Sequence, residues 1–349
     1  MSEQHGNALE SVRVIELGTG IASAIAGMTF GDYGADVVLV EPPLGDRTRA
    51  QAGAAVWHRN KRSLLVDPDR AEHRGRLQTL LELADVCIRG GGGHLRGLDP
   101  LVGAARAANP GLVVLDLAPY STCTPWFGDD ESNELISAAT GLALRQSSFA
   151  DVPVDPVYPH VPYLQGVWGA TCAVAALIER ERSGAGQLVT VDSLQASLIA
   201  GSVTSVVNPV EITRPMAPPG PGGPSPCYTR YVCADGQWLF LGALSPKFQL
   251  RALELLGLSD MLADPRLGGQ LDRMLAPENY RWVRDRLAER FRTRPREEWL
   301  ARLDAVDCPA GPLLAREDWL DHPQLRAIGM RVQIKDPERG DVVMPGVPV

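Results

Sequence analysis

The sequence has few features that would indicate a metal centre or a disulfide framework. Its six cysteines are scattered along 349 residues, and the closest pair, Cys227 and Cys233, does not have CxxC spacing. None of the six histidines clusters with these cysteines, as they would in a zinc site. We therefore predict reduced thiols and no metal.

An excess of basic residues is also missing. The chain carries 34 Lys and Arg residues against 42 Asp and Glu residues, a formal net charge of −8. Nucleic-acid affinity depends largely on neutralising phosphates, so this balance argues against DNA or RNA as a partner. The prediction is that the ligand is a small molecule.

Nothing in the sequence indicates secretion or membrane insertion. The first residues contain no apolar stretch of the kind found in a signal peptide. The longest apolar run, residues 167–178, is shorter than the roughly 20 residues that span a bilayer. We expect a cytoplasmic protein in which this run is a buried core helix.

What the sequence does contain is an alternation of apolar strands and helices. Residues 12–17 predict a strand, Gly18-Thr19-Gly20 a turn, residues 21–33 a helix and residues 35–40 a second strand. Further strands are predicted at residues 63–67, 85–88, 112–117 and 188–192, with helices at 71–83, 133–144 and 166–182. This pattern is typical of an α/β fold with a doubly wound, mostly parallel sheet.

The composition divides the chain into regions. Residues 1–207 carry the βαβ pattern of a large Rossmann-like domain, and 208–230 form a linker rich in proline and glycine. Residues 231–312 predict a smaller α+β domain that starts with a hairpin turning at Ala234-Asp235-Gly236. Residues 313–349 are expected to return towards the large domain.

Two motifs in the first third suggest nucleotide binding. Gly18-Thr19-Gly20 with Glu41 after the next strand partly matches a dinucleotide fingerprint, although Ser23 replaces the third glycine. The alternative is a tight turn between a strand and a closely packed helix. The cations Arg59, Lys61 and Arg62 suit a phosphate or pyrophosphate group, or else form a solvated basic turn.

An acidic cluster precedes the helix predicted at residues 133–144. It contains Glu131 and Glu134, and Ser132 or Asn133 is suited to cap the helix. Acidic side chains near a helix N-terminus are favoured by the helix dipole, so the cluster can be purely structural.

Taken in order along the chain, a series of short motifs resembles the family III CoA-transferases, the group of formyl-CoA transferase, carnitine CoA-transferase and 2-methylacyl-CoA racemase. The motifs are Val14-Ile15-Glu16-Leu17, Gly34-Ala35-Asp36-Val37-Val38, Arg59-Asn60-Lys61-Arg62-Ser63, Leu83-Ala84-Asp85-Val86, the segment 179–187, Asp264-Pro265-Arg266, Pro309-Ala310-Gly311-Pro312 and His322-Pro323-Gln324-Leu325. The resemblance runs from about residue 10 to the end.

The resemblance implies a fold, a partner and a reaction. The fold is a large α/β domain with a smaller inserted domain, in two chains interlocked as a homodimer. The reaction is attack of an aspartate on an acyl-CoA thioester, giving a mixed anhydride that passes CoA to a carboxylic acid. By resemblance, Arg59, Lys61 and Arg62 lie near the CoA phosphates. Gly20, Ile21 and Ala22 likewise line the path of the adenine and pantetheine.

The sequence departs from this family at its chemical centre. The nucleophilic aspartate stands four residues before a glycine, and counting back from Gly166 reaches Pro162. The histidine of the related racemases corresponds to Ser132, so both racemase proton-transfer groups are missing. A replacement carboxylate would have to come from Glu134, Glu131 or Asp155.

Four hypotheses follow. The first is a divergent CoA-transferase-like protein that binds or acts on an acyl-CoA or a carboxylic acid. The second is a catalytically silent subunit of a hetero-oligomer. The third is the same scaffold redirected to noncovalent chemistry, such as cyclisation or elimination. The fourth, suggested by the Gly18 to Glu41 motif, is a nucleotide-dependent oxidoreductase.

Overall fold

A computed structural model describes residues 7–90, 96–120, 123–125, 132–145, 152–155, 157–202, 223 and 225–348. The chain divides into two compact units. The large unit comprises residues 1–143, 155–206 and 320–349, and the small unit comprises residues 144–154 and 207–319. Most of the predicted linker, 208–230, lies outside the described residues, and the segment that returns to the large unit starts at 320 in this division rather than at 313.

The large unit is built on a six-stranded parallel sheet. Its strands are β1 (Arg13–Glu16), β2 (Asp36–Glu41), β3 (Lys61–Leu65), β4 (Val86–Gly90), β5 (Val113–Leu117) and β6 (Leu188–Thr190). They lie in the order β3-β2-β1-β4-β5-β6, and every neighbouring pair is parallel. The predicted α/β class and doubly wound parallel sheet are confirmed.

The third strand begins earlier than predicted. It was expected over residues 63–67, but Lys61 already pairs with Val37 of β2, and Arg62 pairs with Val38. The two cations therefore belong to the strand and not to a turn before it. Charged residues are tolerated here because each side chain forms an ion pair within the chain, as described below.

Helices cover both faces of this sheet. Those assigned to the large unit are α1 (Ile21–Asp32), α2 (Ala54–Trp57), α3 (Ala71–Glu82), α4 (Asp99–Ala108), α5 (Asn133–Ala139), α7 (His160–Ser183), α8 (Ser193–Ala200) and α13 (Pro323–Ala327). The helix predicted over 133–144 is interrupted: α5 is followed by α6 (Leu142–Arg145), with Gly141 between them at φ +78°. A left-handed residue ends an α-helix, and glycine adopts that conformation without strain.

The central helix α7 starts six residues before the predicted position. Its small residues, including Ala170, Ala173 and Ala176, are buried in the same core as β5 and α1. A Cβ atom on Gly166 would lie 2.5 Å from the backbone oxygen of Ala22, so glycine is needed where α7 crosses α1. By length and composition α7 could cross a membrane, but half of its apolar stretch is buried inside the protein, as in a core helix.

The small unit has its own antiparallel sheet and core. Strands β7 (Tyr228–Val232) and β8 (Trp238–Gly242) form the predicted hairpin, and β9 (Ala310–Pro312) pairs with β8. Its helices are α9 (Pro246–Leu255), α10 (Pro277–Phe291) and α11 (Arg296–Ala305), followed by α12 (Arg316–Leu320) at the boundary. Phe291 stacks on Tyr231 with ring centroids 4.8 Å apart, at the centre of this core.

The last part of the large unit is a hairpin that the sequence analysis did not predict. Strands β10 (Arg331–Asp336) and β11 (Gly340–Pro345) pair along their full length. Arg339, in the turn, donates hydrogen bonds to the backbone oxygens of Arg49 and Gln51. The hairpin is thus tied to the segment that precedes α2.

Candidate functional site

The strand order of the sheet changes direction between β1 and β4. In open α/β sheets, ligands bind at such a point, outside the carboxyl ends of the strands. The turn Gly18-Thr19-Gly20 lies here. The Gly18 N–H donates to the Ile88 oxygen at 3.1 Å, and the Thr19 N–H donates to the Gly90 oxygen at 3.1 Å. The turn is therefore fixed to the end of β4.

Packing explains the glycines of this turn. A Cβ atom on Gly18 would lie 2.0 Å from Ser23 Oγ, and Gly20, which caps α1, has φ +90°. Ser23 is fully buried, and its hydroxyl has no hydrogen-bond partner among the residues that the structure describes. Ser23 thus fills the space that the third glycine of a dinucleotide fingerprint would leave open.

Glu41 does not support the oxidoreductase hypothesis. Its buried carboxylate accepts hydrogen bonds from the Arg49 side chain, the Ser63 hydroxyl and the Asp46 N–H. Burial alone would raise the pKa of Glu41, but these hydrogen bonds outweigh it and lower the pKa to about 2. Both carboxylate oxygens are engaged within the chain and are not presented to a ribose.

The three cations predicted to bind phosphate all have partners inside the large unit. Lys61 Nζ lies 2.7 Å from Glu16 Oε2, and both side chains are 1% exposed. The Lys61 ammonium also donates to the Ala24 oxygen at 2.8 Å. Lys61 is thus buried against α1, and its contact with CoA phosphates stays a prediction.

Arg59 and Arg62 differ from each other in exposure. The Arg59 guanidinium pairs with Asp32 and donates to the backbone oxygens of Pro345 and Gly346, which holds the end of the C-terminal hairpin. Arg62 pairs with Asp36 at the surface, where both side chains are largely exposed. Of the three, Arg62 is the cation open to a ligand, and that role stays a prediction.

The buried Glu16–Lys61 pair depends on a glycine in α1. A Cβ atom on Gly27 would lie 1.9 Å from Glu16 Oε2 and 3.0 Å from Lys61 Nζ, so the helix lies over the pair only because this side chain is absent. Burial raises the pKa of Glu16 to about 7, although the charge of Lys61 opposes the shift. Glu16 and Lys61 therefore form a buried ion pair in the core of the large unit.

His58 lies near the Glu16–Lys61 pair. The sequence analysis did not identify it as a functional residue. Its Nε2 atom is 2.8 Å from Thr48 Oγ1. Burial, and to a smaller extent the charge of Lys61, lowers the pKa of His58 to about 4. The imidazole is therefore neutral at physiological pH.

Pro162, which the family resemblance assigns to the nucleophile position, lies buried in the first turn of α7. One turn further along α7, the buried Gln165 side chain links this helix to neighbouring segments. Its amide donates to the oxygens of Ala118 and Val191 at 2.9 and 2.8 Å, and it accepts from Ser193 Oγ at 3.0 Å. No carboxylate stands on these first residues of the helix.

Beside Pro162 lies an aromatic pair that sequence reasoning missed. Trp57 Nε1 donates a hydrogen bond to Tyr163 Oη, and the two rings meet edge to face with centroids 6.2 Å apart. Trp57 is buried in a cluster with Ile21 and Ile25 of α1. The one signal available in the sequence was a tyrosine directly after Pro162, the residue that the family resemblance assigns to the nucleophile position.

The candidate replacement acids are not organised around Pro162 by any hydrogen bond in the described residues. Glu134 is exposed in the first turn of α5 and accepts from Ser132 Oγ at 3.2 Å. Asp155 is exposed, and Glu131 lies outside the described residues. Ser132 Oγ accepts from the Leu135 N–H, so its predicted role as a helix cap is confirmed.

Comparison with known proteins matches the chain to the CoA-transferase family III over residues 9–349. A succinyl-CoA–D-citramalate CoA-transferase of Chloroflexus aurantiacus is 25% identical, with 99% of this chain and 88% of that protein covered. The succinyl-CoA–L-malate CoA-transferase alpha subunit of the same organism is 26% identical, covering 97% and 82%. An alpha-methylacyl-CoA racemase of Mus musculus is 28% identical, covering 91% and 81%.

A solved structure supports the fold. The CAIB/BAIF family protein of Brucella suis superposes with a TM-score of 0.79 at 23% identity, covering 99% of this chain and 97% of that one. Together with the family match over nearly the whole sequence and the ordered motifs, this shows that the chain belongs to the CoA-transferase family III.

Proposed function

We propose that this protein binds an acyl-CoA or a related CoA ester beside Gly18-Thr19-Gly20, at the carboxyl ends of β1 and β4, and acts on it without an aspartyl anhydride. Family membership and the rigid glycine turn at the sheet's change of order support the ligand. The second half of the proposal rests on Pro162, the residue that the family resemblance assigns to the nucleophile position, which is buried in the first turn of α7. A proline side chain can neither attack a thioester nor accept a proton.

Two alternatives draw on other observations. The alpha-subunit name of one relative favours a role as one subunit of a hetero-oligomer. A proline at the predicted nucleophile position would leave that subunit catalytically silent. The racemase relative carries out a different reaction in the same family, which favours a scaffold redirected to noncovalent chemistry. Both alternatives keep the fold and differ in whether this chain turns over a substrate by itself.

Calorimetric titration with CoA, acetyl-CoA and succinyl-CoA tests the proposal directly. Binding of at least one ester is expected, with loss of binding when the turn is filled by Gly18→Val. Gly311→Val is the matched control, because that glycine lies in β9 of the small unit with no atom within 4 Å of an added Cβ. Absence of heat for all three compounds at high protein concentration removes CoA binding from the function.

Restoring the carboxylate tests the nucleophile position. In the Pro162→Asp variant, an aspartate at the third residue of α7 is favoured by the helix dipole and is expected to gain anhydride chemistry. With acyl-CoA and hydroxylamine, the variant should yield a hydroxamate while the wild-type protein yields none. Hydroxamate formation by the wild-type protein would show that another carboxylate already forms the anhydride.

We also propose that the protein is a homodimer. The outer face of α7 leaves Val167, Trp168 and Ile178 exposed by 46%, 42% and 68% in a single chain. Large apolar side chains left exposed on a helix whose other side lies in the core favour an interaction surface, and a second copy of the chain is the partner proposed. Sedimentation velocity should give about twice the monomer mass, reduced to one chain in Ile178→Glu; a wild-type monomer contradicts the proposal.

A further inference from the structure

The hydrogen bond between Trp57 and Tyr163 leaves one proton unused. An indole Nε1–H can only donate, so the Tyr163 oxygen is the acceptor, and its own O–H proton remains available. Within the part of the chain that the structure describes, this phenol donates to no recorded acceptor. Trp57 is 5% exposed and Tyr163 is 39% exposed, so a buried anchor holds a hydroxyl-bearing ring that reaches solvent.

This pair lies at the place where substrate chemistry is expected. Trp57 packs on Ile21 and Ile25, in the first turns of the helix that follows the glycine turn. The first turns of α7 meet the same part of α1, because Gly166 touches Ala22 and Ile25. Tyr163 directly follows Pro162, so its ring projects from the helix turn that would otherwise carry the nucleophile.

We propose that the Tyr163 hydroxyl donates a hydrogen bond to the acyl oxygen of a bound CoA ester, and that Trp57 fixes the direction of this hydroxyl. The inference rests on the proposed function and extends it to a substrate-binding residue. A neutral phenol polarises a thioester carbonyl and stabilises negative charge that develops on its oxygen, without forming a bond to carbon. That chemistry suits a site in which a carboxylate nucleophile is missing.

The direction of the hydroxyl is set by packing as well as by the hydrogen bond. The 71° angle between the two rings places the indole edge against the tyrosine, which restricts rotation of the phenol. Trp57→Phe would keep much of the packing but remove the donor. Tyr163→Phe keeps the ring and removes only the oxygen. The two variants therefore separate the hydroxyl from its anchor.

The test compares affinities for CoA and for the tightest-binding of acetyl-, propionyl- and succinyl-CoA. Loss of one neutral hydrogen bond of about 1 kcal/mol corresponds to about a fivefold loss of affinity. Tyr163→Phe is expected to weaken ester binding by about this factor and to leave CoA binding unchanged. Trp57→Phe should show a smaller loss, and Tyr158→Phe, which alters an exposed tyrosine, should show none.

A spectroscopic readout distinguishes a contact from a structural role. With the thioester carbonyl labelled with ¹³C, a donated hydrogen bond should shift its resonance downfield on binding to the wild-type protein, and Tyr163→Phe should abolish that shift. The inference would be overturned if Tyr163→Phe bound the ester as tightly as the wild-type protein and gave the same ¹³C shift on binding. That result would leave CoA binding by the protein intact. If the wild-type protein binds neither CoA nor any of the esters, the proposed function itself fails, and the inference fails with it.

Discussion

Lys61→Met is expected to lower the free energy of unfolding of the large unit by about 3–5 kcal/mol at pH 8, the cost of leaving a buried charge without its partner. Lys61 and Glu16 are each 1% exposed, and their charged atoms lie 2.7 Å apart. The remaining carboxylate would be covered by α1 at Gly27, where no space is left for water. Chemical denaturation followed by circular dichroism measures the loss.

The sign of the pH dependence follows from Glu16. Its pKa is about 7 in the folded protein, above the ordinary value of 4.5. Between these values the folded state holds a proton that the unfolded state has lost, so stability falls as pH rises through this window. Removing Lys61 takes away the charge that lowers this pKa. The deficit of Lys61→Met relative to wild type should therefore be larger at pH 8 than at pH 5.

Two controls make this result specific. Arg62→Met removes the neighbouring ion pair with Asp36, whose side chains are 69% and 48% exposed, and is expected to cost less than about 1 kcal/mol. The double variant Glu16→Gln with Lys61→Met removes both charges and should recover most of the lost stability. A Lys61→Met protein as stable as Arg62→Met would show that Glu16 is not held as a buried charge.

Gly166→Ala is expected to destabilise the large unit by about 1–3 kcal/mol, the usual cost of forcing a methyl group into a closely packed contact. The new Cβ atom would lie 2.5 Å from the Ala22 oxygen and 2.8 Å from Ile25 Cβ. To relieve the clash, α7 and α1 must separate. Because α1 starts at the glycine turn, this variant should also bind CoA esters more weakly. Thermal unfolding and calorimetry measure the two effects.

The control for this prediction is another helical glycine. Gly103 lies in α4 with no atom within 4 Å of an added Cβ, so Gly103→Ala meets no clash. Alanine loses less backbone entropy than glycine on folding and, at this exposed position, should stabilise α4 by about 0.5–1 kcal/mol. If Gly166→Ala behaved in the same way, the close crossing of α1 and α7 would not be a constraint on the fold.

The sequence by itself determined the class of the fold and the family. The strands β1, β2 and β5 are short apolar runs rich in β-branched residues, and each lies within two residues of its predicted bounds. The turn at Gly18-Thr19-Gly20 and the Ser132 cap are also local, since their chemistry is contained in a few consecutive residues. The assignment of Pro162 to the nucleophile position came from the family resemblance, and it stays a prediction.

Only the tertiary structure decided what the polar residues do. Lys61, interpreted as a phosphate ligand, finds its partner Glu16 on a strand that is not its neighbour, and Arg59 holds a hairpin 286 residues further along the chain. Trp57 and Tyr163 are 106 residues apart in sequence. Local patterns report periodicity and turn chemistry, whereas the partner of a charge or hydroxyl depends on how distant segments pack, which periodicity does not encode.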